Sequence, residues 1–437
     1  MLFLLFMNLK SLQKKLSEFH VRYQSLIENA GALFFLQMAG YVLPFVTFPY
    51  LTRVLGAETF GVFVFAQSVV QYFTLLTDYG FNLSATQQIS IQRENSTALS
   101  KIFSTTIATK FLLFLMSEAL LIILILFHPK LSLYREVILL TSLSLVGSVF
   151  FPIWFFQGIE KMRIITLLQV SGRVLYVVCI LFFVQEPLDV RLASLFFSLS
   201  SIIPGALGFY YSFRLKPLSI ILPNSTDIFQ ALQKGKVVFF SMAGASLFNN
   251  SNTFILGLFG SMEQVGLYSI AERIVRAFVM LSTPITQAIF PHSARLFSNS
   301  KESALQFLRK VLIGGSIFFF SLSVIVFSLA EWIVYLATGN FIPEAALLLR
   351  ILSFLPFTIF ADNIFGTQIL LNIGQERTFT KVIFASGIFS LVSSLIFVPY
   401  FFGLATACIY FITEVIVFVW FAIAVKQFGF SIKLFRQ

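Results

Sequence analysis

Long apolar runs recur along almost the whole chain, and few folds can absorb them. A helix needs roughly 20 mostly apolar residues to cross about 30 Å of hydrocarbon. Runs of that kind lie near residues 29–50, 60–90, 101–127, 134–156, 161–184 and 190–213, and again near 236–258, 264–294, 306–334, 345–373, 377–399 and 403–426. No soluble domain fits between them. Of 437 residues, 58% are hydrophobic and only 11% charged, with a mean hydropathy of +0.90, far outside the soluble globular range. The expected fold is an all-α polytopic membrane protein of about twelve spans.

A net charge of +11 would suggest nucleic-acid binding in a soluble protein, but here the basic residues first report orientation. An even span count puts both termini on one face. Lys10, Lys14, Lys15, Arg93, Lys101, Lys161, Arg214, Lys234, Arg295, Arg309, Arg377, Lys426 and Arg436 fall on that face, whereas only Arg53, Lys130, Arg135 and Arg191 fall on the other. The positive-inside rule makes both termini cytoplasmic, and no nucleic-acid partner is expected.

The chain then divides into a basic amphipathic leader (1–28), an N-lobe of six spans (29–213), a cytoplasmic linker (214–235), a C-lobe of six spans (236–426) and a cytoplasmic tail (427–437). In the leader, Lys10, Lys14, Lys15 and Arg22 alternate with Leu9, Leu12, Leu16 and Phe19, a pattern that suits a membrane surface or a solvated segment. Its opening "MLFLLFM" is too short to span and has no basic region before it, so it is not read as a signal peptide. Cys179 and Cys408 both fall in apolar runs, where a lone thiol behaves as a small hydrophobe.

The two lobes echo each other. "VLGAETFGVFVFAQ" (54–67) follows the first span and "LFGSMEQVGLYSIAE" (258–272) the seventh, and aligning Gly61 on Gly266 also aligns Ala66 with Ala271. "FFQGIEKMRIIT" (155–166) and "LLNIGQERTFT" (370–380) follow the fourth and tenth spans. A duplicated bundle with parallel halves is the economical explanation.

Charges among apolar helices cost a few kcal/mol each on insertion scales, so they normally line a cavity or pair with one another. Lys110 and Glu118 lie in the third span, Arg173 in the fifth, Glu272, Arg273 and Arg276 in the eighth, Arg350 and Asp362 in the tenth and Glu414 in the twelfth. Glu272 and Arg276 are four apart and can pair, leaving a surplus cation. A guanidinium fork suits phosphate oxygens, so Arg276 and Arg273 are candidates for an anionic head group. Arg173 could bind substrate or answer Glu118. Asn249, Asn250 and Asn252, within "SLFNNSNTFILG", cover more than one helical face and either contact sugar hydroxyls or join helices. Pro44, Pro49 and Pro284 offer kinks in both lobes.

No GxxxxGK[ST], HExxH or paired-Cys motif is present, and His20, His128 and His292 lie far apart. No enzyme, cofactor or metal site is expected.

Three segments, "TRVLGAETFGVFVFAQSVVQYFTLLTDYGFNLSATQQIS", "WFFQGIEKMRIIT" and "VGLYSIAERIVRAFVMLSTPITQAIFP", resemble the signature segments of bacterial polysaccharide-unit (O-antigen type) flippases. These belong to the multidrug, oligosaccharidyl-lipid and polysaccharide (MOP) exporter superfamily. The resemblance implies a MATE-like fold in the bacterial inner membrane that moves undecaprenyl-diphosphate-linked oligosaccharide between leaflets by alternating access, for polysaccharide polymerase or ligase machinery to use. It also suggests a role for "LLTDYGFNLSATQQIS" (75–90): a cytoplasmic entrance and gate for the sugar head group, with Asp78, Gly80 and Asn82 at its start. Asp362, Glu414 and Asp78 are candidate carboxylates for coupling to H+ or Na+. The competing readings are a cation-coupled multidrug exporter of the same superfamily and, more remotely, a membrane glycan polymerase.

Overall fold

A computed structural model describes residues 2–428, with side chains described except at 2–30, 32–35, 37, 41, 245 and 247–250. The amphipathic pattern expected at 8–28, Asn249 and Asn250 therefore lie outside the described side chains, and 429–437 of the expected tail lie outside the described residues. Among the described residues every regular element is helical. A chain surrounded by lipid must satisfy its backbone groups internally, and helices do so.

The first half comprises α1 (Leu2–Asp78), α2 (Phe81–Gln92), α3 (Ser96–Phe127), the short α4 (Pro129–Leu133), α5 (Arg135–Ser142), α6 (Ser144–Phe150), α7 (Ile153–Gly158), α8 (Met162–Phe183) and α9 (Val190–Leu215). The second comprises α10 (Ser225–Phe259), α11 (Met262–Met280), α12 (Ser282–Asn299), α13 (Lys301–Ser328), α14 (Ala330–Thr338), α15 (Pro343–Leu352), α16 (Leu355–Asn363), a π-helical segment (Ile364–Leu371) and α17 (Glu376–Gln427). Nine helices or helix groups among the described residues are long and apolar enough to cross a membrane.

Backbone breaks fall between expected spans and within one of them. Between the first and second expected spans, α1 is broken into two helices at Gly56 (φ 71°, ψ 172°), a conformation open to glycine. The second expected span, 60–90, is interrupted where Tyr79 (φ 43°) and Gly80 (φ 76°) turn left-handed. At the far end, Phe402 (φ 47°, ψ −124°) breaks α17 into two helices between the spans expected at 377–399 and 403–426. Within the segment expected as linker (214–235), α10 begins at Ser225, its first turn closed by the Asn224 N–H donating to Asp227 Oδ2 at 3.4 Å. The residues before it are pinned along α3, since the N–H groups of Ser219 and Ile221 donate to the hydroxyls of Ser100 and Ser104, both at 3.0 Å. One helical turn of α3 thus presents two acceptors to an extended strand.

The core has an asymmetry that positions everything else. One apolar cluster joins the halves, with Leu55, Phe60, Phe63 and Ala193 of the first against Val265, Tyr268, Val334 and Leu349 of the second. Toward the linker face, each half has its own cluster: Phe81, Phe103, Trp154 and Phe155 in the first, and Leu308, Phe365, Val417 and Phe421 in the second. The halves share one core at the face opposite the linker; toward the linker they meet through α10, which packs on α2 and α3 and sets Ala231 and Leu232 against the first-half cluster. On α3 the exposed row includes Leu112, Leu115, Met116, Ile123 and Phe127, apolar side chains that meet lipid rather than water.

The second sequence echo, 155–166 with 370–380, has a structural counterpart. After α7, Glu160 (φ 59°) reverses the chain, and the N–H of Lys161 donates to the Phe156 carbonyl at 2.8 Å. After the π segment, Gly374 (φ 74°) does the same, and Gln375 N–H donates to Leu370 O at 2.9 Å. These are the same left-handed helix ending, used once in each half.

Candidate functional site

Arg173 and Arg273 come from different halves and line one cavity of about 370 Å³, where polar Gln67, Gln169, Tyr176, Ser200 and Ser201 mix with apolar Leu51, Phe151, Phe197 and Pro204. Gln169, Arg173 and Tyr176 are four and three apart on α8, so one helical face carries all three. Arg173 Nη1 donates to the Leu36 carbonyl at 3.3 Å. It fits because residue 40 is glycine: a Cβ there would lie 2.6 Å from the guanidinium.

Arg273 reaches from α11 across to the first half. Its Nη2 donates to Gln67 Oε1 at 3.0 Å, and its guanidinium lies 5.2 Å from the Phe60 ring centre and 5.9 Å from that of Phe48. Aromatic faces and an amide hold the cation without neutralising it. Arg273 also borders a second, mostly apolar groove of about 540 Å³ between α1 and α11, lined by Pro44, Phe45, Phe48, Phe278, Leu281 and Ile333, with Arg276 on its wall. A single arginine therefore stands at the junction of the more polar cavity and an apolar groove.

Arg276 differs. It pairs with Glu272 at 2.7 Å, as the four-residue spacing predicts, and Thr253 Oγ1 donates to the other Glu272 oxygen at 3.4 Å. Asn252 is buried, and its Oδ1 and the hydroxyl of neighbouring Tyr268 lack a hydrogen bond of good geometry among the described residues. Asp362 and Glu414 are both buried and face each other, with Arg276 and Tyr410 close to Glu414. Neither Asp362 oxygen meets a donor among the described residues, so the carboxyl beside it can bond only when one of the two carries a proton.

Asp78 lies elsewhere, in the first half. Lys110 Nζ and Ser148 Oγ both donate to its Oδ1 at 2.8 Å, and Lys110 also donates to the Ser148 carbonyl at 2.7 Å. The expected gate carboxylate is thus one partner of a buried ion pair. Gly80 packs against α10, where a Cβ would lie 2.6 Å from Val238, and the Tyr79 ring stacks on Phe239 at 4.6 Å. Asn82 is half-buried on α2, outside both cavities. The structure brings Arg173 and Arg273 together, keeps Asp362 with Glu414, and separates Asp78 from both sets. Arg173 does not answer Glu118, which accepts from Ser142 Oγ at 3.3 Å.

Residues 26–297 match the family described as "Polysaccharide biosynthesis protein". The chain belongs to this family. Its resemblance to the O-antigen branch is borne out by a "Putative O-antigen transporter" of Escherichia coli (strain K12), 30% identical over 84% of this chain and 89% of that protein. A protein of the same description from Shigella dysenteriae is 26% identical over 91% of this chain and all of that protein. Among solved structures, the family member shares its fold with an inward-facing MATE transporter of the MOP superfamily (TM-score 0.68, 14% identity, 91% of this chain and 99% of that one). It matches the lipid II flippase MurJ in an inward closed conformation equally (TM-score 0.68, 14%, 94% and 89%). An outward-facing MATE transporter superposes less well, at 0.51 over 93% and 96%. This polysaccharide biosynthesis protein is a multi-pass protein of the bacterial inner membrane, MATE-like in fold.

Sequence reasoning missed Gln67, Gln169, Tyr176, Ser200 and Ser201. Gln169 and Tyr176 carried a signal in their spacing from Arg173. Gln67 carried none, because its meeting with Arg273 spans 206 positions.

Proposed function

We propose that the protein is a flippase that carries undecaprenyl-diphosphate-linked oligosaccharide units across the cytoplasmic membrane by alternating access, with about twelve spans and the linker face cytoplasmic. One observation carries the reading: Arg273 stands where a cavity of amides, hydroxyls and a second arginine meets an apolar groove. An amphiphile with a sugar head, a diphosphate and a polyprenyl tail needs that order of surfaces. The glycan occupies the polar cavity, Arg173 and Arg273 take the diphosphate oxygens, and the chain of isoprene units lies in the groove between α1 and α11. The closer fit to an inward-facing MATE transporter than to an outward-facing one supports a resting state that opens to the cytoplasm. After release, polymerase or ligase machinery would take the unit.

Asp362 and Glu414 are the coupling pair in this reading, binding one cation, H+ or Na+, between them. Asp78 serves the architecture of the first half instead. The competing reading, a cation-coupled drug exporter, is disfavoured by two arginines lining the cavity, which repel cationic drugs.

The test is deletion of the gene followed by complementation. Undecaprenyl-diphosphate-linked glycan should accumulate on the cytoplasmic side, wild type should clear it, and normally expressed Arg273→Ala should not. Absence of accumulation, with raised resistance to cationic drugs on overexpression, would replace the flippase with the exporter. Dissipating the proton and sodium gradients separately in transport vesicles identifies the coupling ion, and Asp362→Asn should remove whichever dependence is found.

A further inference from the structure

Of the four cations that the sequence assigns to the face opposite the linker, Arg191 pairs with Glu136 of its own half at 2.8 Å. Arg53 and Lys130 do something else. Arg53 Nη2 donates to the Leu336 carbonyl, and Lys130 Nζ donates to the carbonyls of Gly257, at 3.2 Å, and Gly260. Those carbonyls close α14, which ends at Thr338, and α10, which ends at Phe259. Unpaired carbonyls and the negative end of the helix dipole collect at such termini, so each cation of the first half caps a helix of the second. Thr52 Oγ1 adds a bond to the Ala337 carbonyl at 3.2 Å.

Beside these caps the halves cross at two glycines. A Cβ at Gly61 would lie 1.8 Å from the Met262 carbonyl oxygen, and a Cβ at Gly266 would lie 1.8 Å from that of Ala57. Each glycine covers the carbonyl four residues before the other, so the contact is reciprocal about a local two-fold axis. Backbone fills both positions, and no rotamer change could make room.

We propose that this crossing is the outer latch of the transport cycle: Gly61 and Gly266 set the closed distance, Arg53 and Lys130 hold it, and the halves part there to release cargo. The inference rests on the transport reading above. Its parts suit reversal. Both cations and the carbonyls they leave sit at an aqueous face, where water replaces the lost hydrogen bonds at small net cost. All four are positioning residues, acting through the separation of the halves rather than by touching substrate.

The experiment uses the full chain in proteoliposomes, with Cys179→Ala and Cys408→Ala as background and Val265→Cys, at a fully buried position beside the crossing, as reporter. A membrane-impermeant maleimide should label the reporter slowly. Combining Arg53→Gln with Lys130→Gln should speed labelling by about tenfold or more, as loss of two charged hydrogen bonds of the closed state requires. Arg53→Lys with Lys130→Arg should restore the slow rate. Unchanged labelling in the Gln pair would overturn the latch. So would full transport by protein tethered between Thr52→Cys and Ala337→Cys, because a static seam tolerates a tether and a latch does not. Labelling needs no substrate, so its outcome is independent of which molecule is carried, and it remains decisive if Gly61→Ala fails to fold.

Discussion

Replacing either partner of the Asp78–Lys110 pair should destabilise the protein far more than replacing both. Lys110 is 1% exposed and Asp78 22% exposed, at 2.8 Å. At an effective dielectric of about 20, that distance gives an attraction of roughly 6 kcal/mol, most of which offsets desolvation of the ammonium and carboxylate. Asp78→Asn leaves Lys110 as a buried cation with only neutral acceptors, the amide oxygen and the Ser148 carbonyl, and the expected loss is about 3–5 kcal/mol. Lys110→Met strands the carboxylate with one hydroxyl donor and should cost a similar amount, lessened by its partial exposure. The double variant Asp78→Asn/Lys110→Met removes both charges, keeps an acceptor for Ser148, and should recover more than half of the loss. Thermal unfolding in detergent, read as monodisperse protein surviving a heating series, measures all three against wild type. Single variants as stable as wild type would refute the ion-pair reasoning. A stable Asp78→Asn protein that no longer transports would restore Asp78 to the gate that the sequence suggests.

Three further outcomes are expected. Arg276→Ala should lower stability by about 1–3 kcal/mol by leaving Glu272 with a hydroxyl in place of a guanidinium, whereas Arg273→Ala should leave folding nearly intact and abolish glycan clearance; paired thermal and complementation assays separate the two. The hydrogen bond from Lys101 at 2.8 Å holds the Asp227 carboxyl below the usual carboxylate range, so this contact contributes fully above that range and is lost as pH falls through the lowered value. Hydrogen exchange at the start of α10 should accordingly rise on acidification in wild type and show no such transition in Asp227→Asn. Gln368, buried in the π segment, donates to the Thr286 carbonyl and accepts from Ser293 Oγ, both at 2.9 Å, so Gln368→Leu should cost about 1–3 kcal/mol in the same heating assay.

The parts legible in the sequence are those fixed by short-range rules. Apolar length marked the crossing helices, four-residue spacing marked Glu272 with Arg276, and the alignment of Gly61 on Gly266 marked two residues that meet across the molecule. What stayed hidden depends on tertiary distance. Asp78 finds Lys110 32 positions away, and Arg273 finds Gln67 across the two halves. Neither spacing belongs to any helical period, and carboxylates that looked equivalent as ion sites were separated only by their neighbours. The extra break at Tyr79–Gly80 was half legible: glycine announced the bend, but nothing in the tyrosine before it announced a second left-handed residue.

The halves also touch at the linker face, where Lys101 of α3 pairs with Asp227 of α10 and the Tyr79 ring stacks on Phe239. In the transport reading, an entrance on that side opens only as these contacts part. The Lys101 side chain is 58% exposed, so dissolved salt reaches the pair and weakens it. Ionic strength on the cytoplasmic side thereby becomes an effector in its own right, biasing the resting orientation without touching the cavity, the arginines or the cargo.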